Sequence, residues 1–284
     1  MIFMDKAQLN NFIDKMKDVV YRAGEMAFEY QGKVKNANKE IEKLSTDNDF
    51  IRKQRAAKTV IDEKVQEELL LAALKLVNPA DVYADAEEET PSKKYFSSKP
   101  VSTTLVIDPI DGTLLYLAGK DGFSVCVGLV EKGEILAALV YFPVRKEFYF
   151  IKNGSVYCEV NGKLQKLSAP QIKNSNSVFV NNRVSEQIAG NLIKNGFEVA
   201  SDTNGFISWP DALIKCIKGE YNACIFHTPQ IRDVLLGAMI SKMDGGYALD
   251  FLGNKIVWPN GGRVDQVMFG FNPISEKIIS CLKI

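Results

Sequence analysis

Apolar side chains from about Ala7 to Tyr30, among them Leu9, Phe12, Ile13, Met16, Val20, Ala23 and Ala27, recur at the spacing of one helical face. A polar, lysine-rich stretch from Gly32 to Arg55 lacks periodicity and reads as a long mobile connection. A second helix is expected from about Asp62 to Val77, stopped by Asn78-Pro79. The period then changes. Val82-Tyr83 begins a strand ending in Glu87-Glu88-Glu89, and Thr103–Ile107 is a strand delivering Asp108. From Phe123 to about Leu167, strand-like runs alternate with turn signals, including Asn153-Gly154 and Asn161-Gly162, which predicts an antiparallel meander. Beyond Ser168-Ala169-Pro170 the pattern alternates helix and strand. The strands are Val178–Val180, Ala223–Phe226 and Tyr247–Phe251; the helices are Ser185–Lys194, Asp211–Lys218 and Asp233–Met243. A boundary near 168 separates residues 1–167, an α+β subdomain, from residues 168–284, an α/β subdomain.

Composition narrows the function classes. In 284 residues, 35 Lys and Arg balance 35 Asp and Glu, so no global basic field favours nucleic acid or an anionic membrane. Five scattered cysteines without a Cys-x-x-Cys pair argue against a disulfide framework or a thiolate zinc site. With no signal-peptide pattern at Met1–Lys6 and no apolar run of membrane length, a cytoplasmic protein is expected. His227 is the only histidine, and it reads as structural. Histidine-centred triads and His-rich metal sites are therefore disfavoured, and any catalysis falls to carboxylates and an oxygen-seeking metal.

The stretch Leu105-Val106-Ile107-Asp108-Pro109-Ile110-Asp111-Gly112-Thr113 is the most informative. A buried strand ends at Asp108, and Pro109 fixes φ and forces a turn that can return Asp111 to the same side. Gly112 permits close backbone approach to a ligand. Two carboxylates and a main-chain oxygen suit Mg²⁺. Taken alone, Asp-Pro-x-Asp-Gly also fits a surface turn with capping aspartates. Likewise Glu87–Glu89 fits a solvated acidic turn, and Asp62 a helix cap.

Together these segments resemble the inositol monophosphatase superfamily of Mg²⁺-dependent, lithium-sensitive phosphatases. Asp108-Pro109-Ile110-Asp111-Gly112-Thr113 is similar to its central signature, Glu87-Glu88 to its strand-ending pair, and Thr59-Val60-Ile61-Asp62 to its Thr-x-x-Asp. Asp233-Val234-Leu235-Leu236-Gly237-Ala238, with Gly245-Gly246 downstream, is similar to its second signature. The resemblance implies a layered αβαβα sugar-phosphatase fold of mixed α+β and α/β character, with two subdomains. It implies that Glu87 or Glu88, Asp108 and the Ile110 carbonyl hold one Mg²⁺, and that Asp108, Asp111 and Asp233 hold a second. Two or three ions per site are expected, with Mn²⁺ as a substitute and Li⁺ or Ca²⁺ as inhibitors. Asp62, Thr113, Glu87 and Asp111 would carry catalysis, Thr113 oriented by Asp62. Gly112, Thr113, Asp233 and Gly205 would contact substrate. The implied activity is hydrolysis of a small polyol, sugar or nucleotide phosphate by a homodimer. The alternative is a catalytically weak regulatory or scaffold protein acting through protein or RNA-associated partners.

The chain also departs from the family. Arg232 stands where a Trp is usual, Leu235-Leu236 replace Ala-Ala, and Phe226 falls where typical members offer an acid to inositol hydroxyls. These changes imply repacked neighbours and argue against inositol monophosphate as substrate. Arg52, Lys53, Arg55 and Lys58 cluster before Asp62. They read either as a solvated loop or as a lid whose cations meet a second phosphate.

Overall fold

The computed structural model describes residues 4–39, 52–53, 56–173, 175–204, 207–273 and 276–283. Helix α1 (Lys6–Tyr30) begins at a reciprocal cap, in which the Gln8 N–H donates to Asp5 and the Asp5 N–H donates to the Gln8 side chain. Helix α2 (Val60–Ala73) starts at the same kind of box, built from Thr59 and Asp62. Strands β1 (Val82–Ala86) and β2 (Thr103–Asp111) follow, then the short helix α3 (Thr113–Leu117). The meander is β3 (Ser124–Glu131), β4 (Glu134–Phe142), β5 (Glu147–Lys152), β6 (Ser155–Val160) and β7 (Lys163–Lys166). The remainder is β8 (Ser177–Val180), α4 (Glu186–Lys194), β9 (Glu198–Ser201), α5 (Trp209–Ile217), β10 (Ala223–His227), α6 (Leu235–Ile240), β11 (Gly246–Leu249), β12 (Gln266–Phe271) and α7 (Glu276–Leu282).

Strands β1 to β7 form one sheet in sequence order, parallel between β1 and β2 and antiparallel thereafter. The second sheet runs β11-β12-β10-β8-β9, with β8 parallel to both neighbours and β12 antiparallel to both of its own. Period-2 alternation sorts the strand side chains into three cores. Leu105, Ile107, Val127 and Leu139 face α1 and α2, while Val106, Cys126 and Val140 face the opposite way, into the middle of the molecule. There they meet α5 and α6 and the inner face of the second sheet, including Phe226, Val267 and Phe269. Ala223, Ile225 and Met268 point outward against α4 and α7. The result is five layers, αβαβα. Among the described residues no helix is long and apolar enough to cross a membrane.

One expectation needed adjustment. The helix expected over Asp233–Met243 is a 3₁₀ turn at Arg232–Val234 followed by the shorter α6. The large Leu235 is accommodated because β3 presents Gly128 beneath it; a Cβ there would lie 2.7 Å from Leu235 Cδ2.

Candidate metal and phosphate site

The end of β2 explains how Asp108 and Asp111 share a face. Residues three apart on a regular strand point to opposite sides. Here Asp108 opposes Cys126 and Asp111 opposes Ser124, so β2 carries one extra residue between them. This bulge, at a proline with no N–H to offer the ladder, restores the parity. Gly112, at φ +87°, turns the chain into α3. Asp233 comes from the other half, on the 3₁₀ turn after β10, its carboxylate accepting from the Gln230 N–H at 3.3 Å. Carboxylate oxygens of Asp108, Asp111 and Asp233 all lie within 4.8 Å of one another.

These acids stand at one end of a cavity of about 290 Å³ that Glu87, Gly112 and Thr113 also line. Burial pushes the carboxyls of Asp108 and Asp111 well above the usual carboxylate range, helped by the charges of Glu87, Asp111 and Asp233 at Asp108 and of Asp233 and Glu87 at Asp111. Burial pushes Asp233 up to about 6, against the pull of Arg232. Glu87 behaves differently: burial opposes its ionisation, yet Arg232 and Lys39 hold it below the ordinary value. Three converging oxygens that resist joint ionisation, with no sulfur or imidazole among them, fit a hard divalent cation.

The other expected residues separate. Glu88 points away from the cavity: it is buried against α2, where its backbone N–H donates to Gln66, and its carboxylate takes Lys39 at 2.9 Å and Lys58 at 3.0 Å. Glu88 is thus corrected from metal ligand to ion-pair partner, because a glutamate paired with two lysines within the helix–sheet packing is already compensated. Lys58, one of the four cations of the expected lid, is paired with Glu88 and Glu63; Arg55 lies outside the described residues. Asp62 and Thr113 are not joined by a hydrogen bond. Asp62 accepts from the Thr59 N–H at 2.8 Å and the Thr59 hydroxyl at 2.6 Å, whereas Thr113 donates to the Ile110 carbonyl at 3.0 Å. Burial, with the charges of Glu87 and Glu88, pushes Asp62 up to about 7 despite those bonds. Gly205 lies outside the described residues.

Phe226 does not face the cavity. Its fully buried ring packs against Trp209, Phe179 and Phe269 at 5.5, 5.7 and 5.9 Å between centroids. His227 serves through its backbone, its N–H donating to Asn181 and its carbonyl accepting from the same side chain.

Sequence reasoning missed most of the basic half. Arg183, Arg263 and Lys39 line the cavity with Arg232, as do Asp202 and Trp209. Arg183 and Arg263 both donate to the Thr228 carbonyl at 2.6 Å. Thr228 sits at φ +49°, an uncommon conformation for a β-branched residue, and so turns that oxygen toward the two guanidiniums. Asp202 accepts from the Trp209 indole at 2.7 Å, and its buried Oδ1 has no hydrogen-bond partner. Isolated arginines in loops carry no periodic or motif signal. Only Arg232, beside Asp233, was marked in the sequence.

The fold is a layered αβαβα one, and its acid cluster has the oxygens to hold a metal ion. The profile of the Inositol monophosphatase family matches residues 9–267, and the chain belongs to that family. A fructose-1,6-bisphosphatase/inositol-1-monophosphatase from Aquifex aeolicus is 27% identical over 84% of this chain and 85% of its own length. The 3'(2'),5'-bisphosphate nucleotidase CysQ of Salmonella typhimurium is 20% identical over 73% of this chain and 82% of its own. A Nus factor SuhB from Xylella fastidiosa is 28% identical, the match spanning 52% of this chain but only 55% of that relative. Among solved structures, an IMPase/NADP phosphatase complexed with NADP and Ca²⁺ superposes with a TM-score of 0.73 at 15% identity, covering 99% of this chain and 97% of that one. This last likeness concerns the fold alone.

Proposed function

We propose that this chain is a Mg²⁺-dependent phosphomonoesterase, acting on a small phosphorylated polyol, sugar or nucleotide that bears a second anionic group. The observation that carries the reading is the convergence of Asp108, Asp111 and Asp233 oxygens within 4.8 Å, in a cavity that arginines also line. Divalent metal bound by those acids would neutralise phosphoryl charge and acidify the attacking water. Thr113 gives its hydroxyl proton to Ile110, which leaves its oxygen as an acceptor to orient that water. The clamped guanidiniums of Arg183 and Arg263 would meet the second anion, since a planar fork suits phosphate or carboxylate. Asp202 Oδ1 would accept from a substrate hydroxyl. Relatives named for fructose 1,6-bisphosphate and for a bisphosphate nucleotide support this substrate class.

The test is a phosphate-release panel of fructose 1,6-bisphosphate, 3'-phosphoadenosine 5'-phosphate and inositol 1-phosphate, with Mg²⁺ and then with EDTA. Metal-dependent release that favours the two bisphosphates is expected; release indifferent to EDTA, or none from any substrate, overturns the reading. The SuhB relatives favour a second reading, in which the chain acts as a binding factor. An Asp111→Asn chain that restores full function to cells lacking the protein would establish it.

A further inference from the structure

Two of the protein's own cations face Glu87: Lys39, which it shares with Glu88, and Arg232, which it shares with Asp233 and Asp85. One carboxylate oxygen is hydrogen-bonded by the Lys39 ammonium, and the other lies 4.0 Å from Arg232 Nε. Arg232 Nε is equally close, 3.9 Å, to Asp233, and it is buried without a hydrogen-bond partner, wedged between the two acids. Its guanidinium is anchored from behind by Asp85 at 3.4 Å, and Asp85 is in turn held by the Gly262 N–H at 2.6 Å. The main-chain oxygen that would complete a site with Glu87, the Ile110 carbonyl, already accepts from Thr113. Among the described residues the one group of three acidic side chains whose oxygens converge within 4.8 Å is Asp108, Asp111 and Asp233; Glu87 stands beside Asp108, between Lys39 and Arg232.

We infer that the substrate-free protein binds one divalent ion tightly, on Asp108, Asp111 and Asp233, and that Lys39 and Arg232 supply at Glu87 the positive charge a second ion would bring. The inference rests on the proposed metal-dependent reading of the site and departs from the two or three ions that the family resemblance implies. The physical reason is competition. A cation approaching Glu87 must displace an ammonium from one oxygen and stand beside a buried guanidinium, whose repulsion is strong where water is excluded. The same guanidinium acts on Asp108, Asp111 and Asp233, but among the described residues none of these three takes an ammonium as Glu87 does. Arg232 therefore works as a positioning residue, fixing which carboxylates are left for metal.

The experiment counts Mn²⁺ bound to the full chain without substrate, by equilibrium dialysis and electron paramagnetic resonance of free Mn²⁺. Near-ultraviolet circular dichroism checks that each variant is folded. Wild type is expected to bind one ion, with any second at least ~10-fold weaker. Asp233→Asn should weaken the tight ion by ~10-fold or more, while Glu87→Gln leaves it within about threefold. Arg232→Gln combined with Lys39→Ala should tighten the second ion by ~10-fold. Two ions of equal affinity in wild type, loss of the tight ion in Glu87→Gln, or a second ion unchanged in the double variant overturns the inference. Because no substrate is present, one tight ion in a protein that releases no phosphate would sink the phosphatase reading and leave this one standing.

Discussion

The two walls of the cavity were built in opposite ways. Most of the acidic wall is local: Asp108, Gly112 and Asp111 come from one strand end, where a single bulge sets their directions, and only Asp233 is brought from the other half. The basic wall is dispersed: Arg183 follows β8, Arg232 follows β10 and Arg263 precedes β12, each on a different loop. A local device can be read as a motif because spacing along the chain determines geometry. A dispersed one exists only after the second sheet has assembled, so nothing in the spacing of its arginines announces it. The difference also divides labour. On the proposed reading the acids would set where metal and phosphorus sit, and the arginines what the rest of the substrate must be.

The largest effect should come from breaking the acidic wall. Asp111→Asn keeps the shape of the side chain but removes one of three charges, and phosphate release with Mg²⁺ is expected to fall by ~10³-fold or more. Mn²⁺ affinity should fall with it. If release stays within tenfold while Mn²⁺ binding is lost, the acids are not the seat of the reaction, and the two walls must exchange roles.

Asp62 tests whether the acidic wall extends beneath the cavity floor. Its carboxyl has an ordinary value of 3.8 and is pushed up to about 7 in the folded protein, chiefly by burial. Between these values the folded state holds a proton that the unfolded chain has released. Its contribution to stability is therefore fully present below about pH 3.8 and is lost as the pH rises through about 7. Wild type should lose unfolding free energy, read from denaturant curves, between about pH 4 and 7 relative to Asp62→Asn, by up to roughly 4 kcal/mol as an upper limit. Parallel pH curves for the two proteins, measured with saturating Mg²⁺, would show that Asp62 is ionised at neutral pH and belongs with the ligands.

How far the sequence could be read follows the same division. The first helix, the meander and the strand ending at Asp108 were legible because each is a long periodic run or is bounded by Asn-Gly turns. The strand β12, central in the second sheet between β11 and β10, was not. Gln266-Val267-Met268-Phe269-Gly270-Phe271 is a short apolar run containing a glycine, and its pairing lies wholly in tertiary contacts. Asp108, Asp111 and Asp233 were found as a cluster from motifs, and the structure brings them together. Glu88 was misplaced because two adjacent glutamates at a strand end point to opposite sides, and only the position of α2 decides which is buried against Lys58 and Gln66. The expected Asp62–Thr113 bond failed because the helix cap claimed Asp62 first.

The basic wall should answer to substrate rather than to metal. Arg183→Ala and Arg263→Ala are each expected to cut kcat/KM for a bisphosphate by ~10–100-fold and to change that for inositol 1-phosphate by less than about threefold. Mn²⁺ affinity should stay within twofold or so of wild type. An equal loss on mono- and bisphosphates would move both arginines to the reacting phosphate and erase the division between the walls.

The smallest effect should come from Gly112, and it probes how much the acidic wall owes to one backbone conformation. At φ +87° an L-residue is strained, and a Cβ would lie 3.3 Å from the Gly122 carbonyl, 3.4 Å from Phe123 Cα and 3.4 Å from Ser208 Cβ. Those contacts are tight but not overlapping, so Gly112→Ala should fold with a loss of about 1–2 kcal/mol, mostly from the left-handed φ. Relief of that strain would tilt Asp111 away from Asp108, so Mn²⁺ affinity should fall along with stability. Arg263→Ala, on the opposite wall, gives the contrasting pattern, in which metal affinity is retained whatever the change in stability. Should Gly112→Ala lose stability yet bind Mn²⁺ as tightly as wild type, the bulge at Pro109 alone aligns the acids and the turn merely continues the chain into α3.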